Sequence, residues 1–114
     1  MPHFIIEINK EFSEKINVKK LATKVFDVAL DSGLFSKSDI KSRVKVYDES
    51  IIAGENHNFI HVWGYIRQGR SFYHKKQLSE SIVKVVQNLV DDLFVVSCNI
   101  YELDEDSYVK KMMS

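Results

Sequence analysis

Apolar and polar side chains alternate along the first residues of the chain, and the apolar spacing then becomes helical. The segment His3-Phe4-Ile5-Ile6-Glu7-Ile8 has the alternation of a strand. After a polar connection at Asn9–Lys15, Asn17 stands where a helix N-cap would, and Gly33 where the helix would end. Between them apolar residues recur at helical spacing, which predicts a helix over 18–32: Val18, Leu21, Ala22, Val25 and Ala29. Alternation returns at 42–47 and predicts a second strand.

The second half of the chain repeats this order of elements. A loop over 48–58, with a short extended piece at Ile51-Ile52, leads to the β-branched and aromatic run 59–66, which is typical of a central strand covered on both faces. Ser71 is a candidate N-cap for a second helix, whose apolar residues recur over about five turns: Leu78, Ile82, Val85, Val86, Leu89 and Leu93. Residues 95–103 predict the last strand, and a charged tail follows.

Two strand–helix–strand halves, at about 2–50 and 57–104, predict an α+β fold in a single domain over 1–114. A right-handed crossover makes each half a parallel βαβ unit, and two units give a four-stranded sheet with both helices on one face. The other face would expose Trp63 and Tyr65, and an apolar patch of that kind usually contacts a partner subunit. Tyr108, Met112 and Met113 of the tail are further candidates for contacts with a neighbouring chain.

Composition narrows the functional classes. The chain has 114 residues, 45% of them hydrophobic, and its 16 basic residues balance its 16 acidic ones. No overall field therefore attracts it to nucleic acid or to an anionic membrane. Its single cysteine, Cys98, makes no internal disulfide and is typical of a small core residue. The sequence lacks a signal segment and a membrane-length apolar run, so we expect a cytoplasmic protein.

Pro2, the only proline, allows two interpretations. Proline is tolerated as the first residue of a strand, so Pro2 could simply mark where the first strand starts. Alternatively, removal of Met1 would make Pro2 the amino terminus and give it a secondary amine, rigidly held at the edge of a sheet. Such an amine can carry protons at neutral pH.

Arginines are the other candidates for chemistry. Arg43 lies in a predicted strand, while Arg67 and Arg70 flank Gly69 in a turn before a predicted helix. Their guanidinium forks match carboxylates, and the helix N-terminus adds backbone donors, although solvated surface arginines are the alternative. An anion bound there is expected to be a carboxylate of a small metabolite.

Two histidines, His57 and His61, are four residues apart, which raises the question of a metal site. On a strand that spacing separates the side chains by roughly 13 Å, too far for one ion, and no third ligand accompanies them. We therefore expect no metal site.

Four segments resemble the 5-carboxymethyl-2-hydroxymuconate isomerase family of the tautomerase superfamily. They are Met-Pro-His-Phe-Ile at the start, Ile-Lys-Ser-Arg-Val at 40–44, Phe-Ile-His-Val at 59–62 and Gly-Arg-Ser at 69–71. The similarity runs from Pro2 to about Glu105, in the same order and with similar spacing.

This resemblance implies a homotrimer built around a central barrel of sheets, with active sites near subunit boundaries. It implies ketonisation of a small carboxylated dienol, in which a proton moves from the 2-hydroxyl to a distant carbon without a cofactor. Pro2 would be the general base and acid, and Arg70 would bind a carboxylate or the developing oxyanion. Arg43 is a second anion-binding candidate.

The chain departs from the family pattern at two places. Family members commonly have arginine at the position of Lys41 and smaller residues at Arg67-Gln68, so the substrate can differ from the family's. A retained Met1 would also turn the Pro2 nitrogen into a non-basic amide. The alternative function is a non-catalytic trimer that keeps the fold and binds a small anion or a protein partner.

Overall fold

A computed structural model describes residues 1–113 of the chain. A 3-10 turn at Lys37–Asp39 precedes the second strand. The helices and strands follow in this order: β1 (His3–Asn9), α1 (Lys10–Ser13), α2 (Val18–Asp31), β2 (Lys41–Tyr47), β3 (Phe59–Ile66), α3 (Phe72–Leu89) and β4 (Val95–Glu102).

Helix α2 confirms the helix predicted over 18–32. The Asn17 side chain accepts a hydrogen bond from the Lys20 backbone N–H at 3.0 Å, which satisfies one of the unpaired donors of the first turn. Gly33, two residues after the helix, has a φ of +75°, a conformation that glycine adopts at little cost. The predicted stripe is buried at Leu21, Val25 and Ala29.

Helix α3 begins as predicted but ends earlier than its apolar spacing suggests. Ser71 caps it by accepting from the His74 backbone N–H at 3.1 Å. The helix ends at Leu89, Val90 is extended, and Asp92 has a φ of +61°. Leu93 therefore lies in the connection to β4, where it packs against the core from outside the helix.

The four strands form one mixed sheet in the order β2-β1-β3-β4. Strands β1 and β2 pair in parallel, as do β3 and β4, which confirms the two βαβ units. The antiparallel pairing of β1 with β3 joins the two halves, with Ile6 opposite Val62. The predicted fold class, a four-stranded α+β sheet carrying two long helices, is therefore confirmed.

The core lies between one face of the sheet and helices α2 and α3. Even-numbered residues of the two central strands fill this core. Each of the following side chains is fully buried: Phe4, Ile6, Ile8, Ile60, Val62 and Ile66. Side chains of the other parity, including Trp63 and Tyr65, lie on the opposite face, which we call the open face. They are only partly buried in the single chain, so β3 is not covered on both faces as its composition suggested.

The polar segment at Asn9–Lys15, predicted as a plain connection, contains structure. Lys10–Ser13 forms the short helix α1, which buries Phe12 at 2% exposure. Burial of this apolar ring stabilises the fold more than an exposed loop would. Asn9 belongs to β1, and its buried amide donates to the Asn58 side chain at 3.1 Å and accepts from the Phe59 backbone N–H.

The Ile51-Ile52 segment contributes only an isolated bridge, between Ile52 and Glu55.

Cys98 packs against the core, as predicted, and burial raises the pKa of its thiol to about 11. Over residues 1–113, none of the helices combines the length and the apolar character needed to cross a membrane.

Candidate active site at the amino terminus

Pro2 lies directly before β1, at the end of the sheet where β2 also begins. Its carbonyl accepts a hydrogen bond from the Lys41 backbone N–H at 3.1 Å, which continues the parallel pairing of β1 with β2. The missing N–H of proline costs nothing at this first position. Met1 and Pro2 are both buried, so the start of the chain is held inside the fold.

A cavity of about 370 Å³ opens beside the start of the chain. We call it the amino-terminal pocket. Four separate parts of the sequence meet there: the first residue, the 3-10 turn, the β3–α3 connection and the tail. The lining residues are Met1, Asp39, Arg67, Tyr108, Val109 and Lys110.

The surroundings of the terminal amine disfavour a positive charge. Burial, followed by the charges of Lys41 and Lys110, lowers the pKa of the Met1 amino group from 8.0 to about 6, against an opposing effect of Asp39. Asp39 is itself engaged, because its carboxylate pairs with the Lys110 ammonium at 3.0 Å and has its pKa lowered by that bond. The Met1 amine is therefore largely neutral at pH 7.

A line of hydrogen bonds leads from β2 to the tail. The Arg43 guanidinium lies 3.2 Å from His3 Nδ1, and since arginine can only donate, Nδ1 accepts. The proton of the neutral ring is then on Nε2, which donates to the Tyr108 hydroxyl at 2.9 Å. Partial burial and the neighbouring Arg43 and Lys41 lower the pKa of His3, which favours this neutral ring.

The structure places the predicted residues in two groups. Pro2 and Arg43 lie at the same end of the sheet and are linked through His3. Arg70 is directed elsewhere: its guanidinium donates to the Leu34 carbonyl at 2.6 Å and covers the ring of Phe35. Arg67, treated in the sequence as a departure from the family pattern, lines the amino-terminal pocket.

Three further residues at this site were not among the site residues predicted from the sequence: His3, Tyr108 and Lys110. Tyr108 was predicted instead to contact a neighbouring chain. The Tyr108 side chain contacts residues 1 and 3 of its own chain, whereas Met112 and Met113 are exposed. The chain separation between Tyr108 and His3 is 105 residues, and no periodic pattern reports a contact at that range.

The two histidines considered for a metal have different partners. His57 precedes β3, where it stacks on Phe94 with ring centroids 3.9 Å apart and pairs with Glu55. His61 lies in β3 on the open face and shares a hydrogen bond with the Ser97 hydroxyl.

Known proteins resemble this chain over most of its length. The 5-carboxymethyl-2-hydroxymuconate Delta-isomerase of Escherichia coli is 29% identical over 89 residues, covering 76% of this chain and 71% of that protein. The crystal structure of a 5-carboxymethyl-2-hydroxymuconate isomerase from Deinococcus radiodurans R1 superposes with a TM-score of 0.84 at 24% identity, covering 96% of this chain and 88% of that one.

A fused wild-type 4-OT, solved as a symmetric trimer, superposes with a TM-score of 0.70 at 18% identity, covering 89% of this chain and 85% of that one. These two structural likenesses establish the fold. The family follows from the sequence: the family model for 5-carboxymethyl-2-hydroxymuconate isomerase matches residues 2–112, almost the whole chain. The protein therefore belongs to the 5-carboxymethyl-2-hydroxymuconate isomerase family.

Proposed function

We propose that this protein, once Met1 is removed, is a cofactor-independent isomerase that ketonises a small carboxylated dienol such as 5-carboxymethyl-2-hydroxymuconate. One observation carries the proposal: Pro2 is buried next to Met1, which lines the amino-terminal pocket and whose amine has its pKa lowered to about 6 by burial and then by Lys41 and Lys110. The family and the name of the Escherichia coli relative indicate the reaction.

In the proposed mechanism the Pro2 amine is both base and acid. It accepts the proton of the substrate 2-hydroxyl and returns a proton to a distant carbon as the conjugated double bonds shift, so the composition of the substrate does not change. A base is most effective when its pKa lies near the working pH, because it is then unprotonated yet still basic. Burial and nearby cations adjust the amine in that direction.

Cations would hold the carboxylates of the substrate and the negative charge that grows on its oxygen. Arg67 and Lys110 line the amino-terminal pocket, and Lys41 is close enough to the amine to lower its pKa. Fixed positive charge of this kind stabilises an oxyanion more in a partly dry site than in water. Arg43 contributes through His3, and we assign Arg70 a carboxylate that approaches from the side of Leu34.

We further propose that the protein is a homotrimer whose open face lies against neighbouring subunits. Trp63 and Tyr101 stack there with ring centroids 5.4 Å apart, and Tyr101 keeps 38% of its surface exposed. The Trp63 indole N–H is buried without a hydrogen-bond partner among residues 1–113. A neighbouring subunit would supply both an apolar surface and an acceptor for this donor.

The proposal is tested with protein whose intact mass shows that Met1 is absent. We expect this protein to ketonise 2-hydroxymuconate-type dienols, and Pro2→Ala to lose roughly a hundredfold or more in kcat, because a primary amine is held less rigidly and differs in basicity. Equal rates for wild type and Pro2→Ala would contradict the role of Pro2. Retention of Met1 in protein from the native host would favour the non-catalytic alternative.

The arginine assignments need their own variants. We expect Arg70→Ala to reduce kcat/KM by roughly tenfold or more, because one charged contact to an anionic transition state is lost. Arg43→Ala should also reduce kcat/KM, because the guanidinium that donates to His3 Nδ1 is lost. Lys19→Ala, at an exposed position on α2, serves as the matched control for removal of a positive charge. An Arg70→Ala enzyme as active as the Lys19→Ala enzyme would remove Arg70 from the site.

A further inference from the structure

We propose that Tyr108, held by His3, is a positioning residue for the Pro2 amine, so that the C-terminal tail forms one wall of the active site. This inference rests on the function proposed above. Tyr108 lies in the tail, 105 residues along the chain from His3.

The Tyr108 hydroxyl contacts the residues on both sides of Pro2. It lies 2.9 Å from His3 Nε2 and 3.4 Å from the Met1 amino nitrogen. When Met1 is removed, the contact with His3 remains and the hydroxyl faces the space that Met1 occupied. The new Pro2 amine borders that same space.

The tail is fixed on the fold by several contacts. The Tyr108 backbone N–H donates to the Asp104 carbonyl at 3.0 Å, which closes a turn just before the tyrosine. The Tyr108 ring meets the His3 ring edge-on, with centroids 5.8 Å apart. Two residues further on, Lys110 pairs with Asp39 of the 3-10 turn at 3.0 Å. The hydroxyl is therefore held in place before any substrate binds.

The hydrogen-bond directions specify what this hydroxyl does. Arg43 donates to His3 Nδ1, so His3 Nε2–H donates to the Tyr108 oxygen and occupies one of its lone pairs. The second lone pair can accept from the Pro2 amine. A neutral secondary amine has one N–H and one lone pair, so an N–H directed at the Tyr108 oxygen turns the basic lone pair away from this hydroxyl and leaves it free to accept a proton.

The same bond affects protonation of the amine. The charged and titratable groups around it are Lys41 from β2, Asp39 from the 3-10 turn, Lys110 from the tail, and the Arg43–His3 pair. Arg67 from the β3–α3 connection also lines the pocket, and it pairs with Glu105 at 3.7 Å. Of these groups, Lys41 and Lys110 disfavour a protonated amine at Met1, and we expect the same at Pro2. An acceptor such as the Tyr108 oxygen favours it, because the bond strengthens when the donor is charged.

The experiment uses the only proline of the chain. Labelling with ¹⁵N-proline gives a single amine resonance, whose pH titration reports the pKa of Pro2 directly. Tyr108→Phe keeps the ring and removes the acceptor. We expect it to lower the pKa of the Pro2 amine and to reduce kcat by roughly tenfold with a smaller change in KM, because the lone pair is less well oriented.

Two variants control this test. Tyr73→Phe removes a hydroxyl from a side chain that is 66% exposed on α3 and should change neither quantity. His3→Phe removes the donor that holds Tyr108 and should change the pKa and kcat in the same direction, which provides a second test if Tyr108→Phe is unstable. A Pro2 pKa and a kcat unchanged in Tyr108→Phe would overturn the inference.

The two proposals fail in different ways. A wild-type protein without isomerase activity, in which Tyr108→Phe still lowers the pKa of Pro2, would refute the proposed function and support the contact. An active enzyme in which Tyr108→Phe titrates and turns over like wild type would refute the role of Tyr108 and leave the proposed function intact.

Discussion

At the scale of single residues, the candidate site combines the nitrogen of Pro2 with lysine and arginine side chains. Pro2 was a candidate from the sequence because it is the only proline and directly follows Met1. Its proposed role as a base depends on burial and on side chains that the sequence did not place near the amino terminus, above all Lys41 and Lys110, which lower the pKa of the neighbouring Met1 amine. The structure brings them together because β1 and β2 begin at the same end of the sheet and the tail returns to it.

Lys41 gives a prediction about pH dependence. After burial, the charge of Lys41 is the largest cause that lowers the pKa of the Met1 amine. We expect it to act in the same way on the Pro2 amine of the processed protein. If the neutral Pro2 amine is the base, kcat/KM should fall as the pH drops and this amine becomes protonated. In Lys41→Met the amine pKa should rise, which shifts this fall to higher pH. Activity relative to wild type would then be lower at pH 6 than at pH 8.

The measurement is a pH–rate profile of kcat/KM between pH 5 and 9. Lys84→Met, at an exposed position on α3, removes a charge from a residue outside the pocket lining and should leave the profile in place. A Lys41→Met profile with the wild-type midpoint would show that Lys41 does not control the base.

Gly64 gives a prediction about packing. It lies in β3 on the helix side of the sheet, and a Cβ at this position would come within 2.5 Å of Ile100 Cδ1 and 3.1 Å of Phe4 Cε1. Gly64→Ala should therefore lower the free energy of unfolding by about 1–3 kcal/mol, the usual cost of overpacking a core.

Ile100→Val tests this cause directly, because valine lacks the Cδ1 atom that obstructs the added methyl. In denaturant unfolding, Gly64→Ala should cost less in an Ile100→Val background than in the wild-type background. Equal costs in both backgrounds would place the strain elsewhere, at Phe4 or in the backbone.

At the scale of elements, local signals predicted most of the secondary structure. Capping residues and apolar spacing act within a few residues, so they located α2 and the start of α3. They failed where a distant contact decides the outcome. Phe12 turns a polar connection into helix α1 because the core accepts its ring, and Leu93 continues a helical spacing after the helix has ended.

The cap of α2 gives a prediction at this scale. Asn17→Ala removes the acceptor for the Lys20 backbone N–H and should lower the free energy of unfolding by about 1 kcal/mol. Asn17→Ser keeps a capping oxygen and should therefore retain most of the stabilisation by the cap. Denaturant midpoints of the three proteins provide the comparison. An alanine variant as stable as wild type would mean that water replaces the cap at no cost.

At the scale of the whole molecule, the open face is the surface that we propose to be buried between the subunits of a trimer. Trp63→Glu places a charge on this face and should convert the proposed trimer to smaller species, because burying an unpaired carboxylate is costly. Tyr73→Glu puts the same charge on an exposed helix position and should leave the mass unchanged. Light scattering coupled to size-exclusion chromatography measures both variants, and an intact Trp63→Glu trimer would exclude this face as the interface.

The sequence by itself determined the element order, the two βαβ halves, the helix caps and the candidate proline, since each is encoded by neighbouring residues. It also carried the family, through segments spread from Pro2 to about Glu105. Only the tertiary structure decided which side chains surround the amino terminus: Asp39, Arg67 and Tyr108 come from three distant segments. Contacts between distant segments leave no periodic trace in a sequence, because they depend on how the whole sheet and tail pack together.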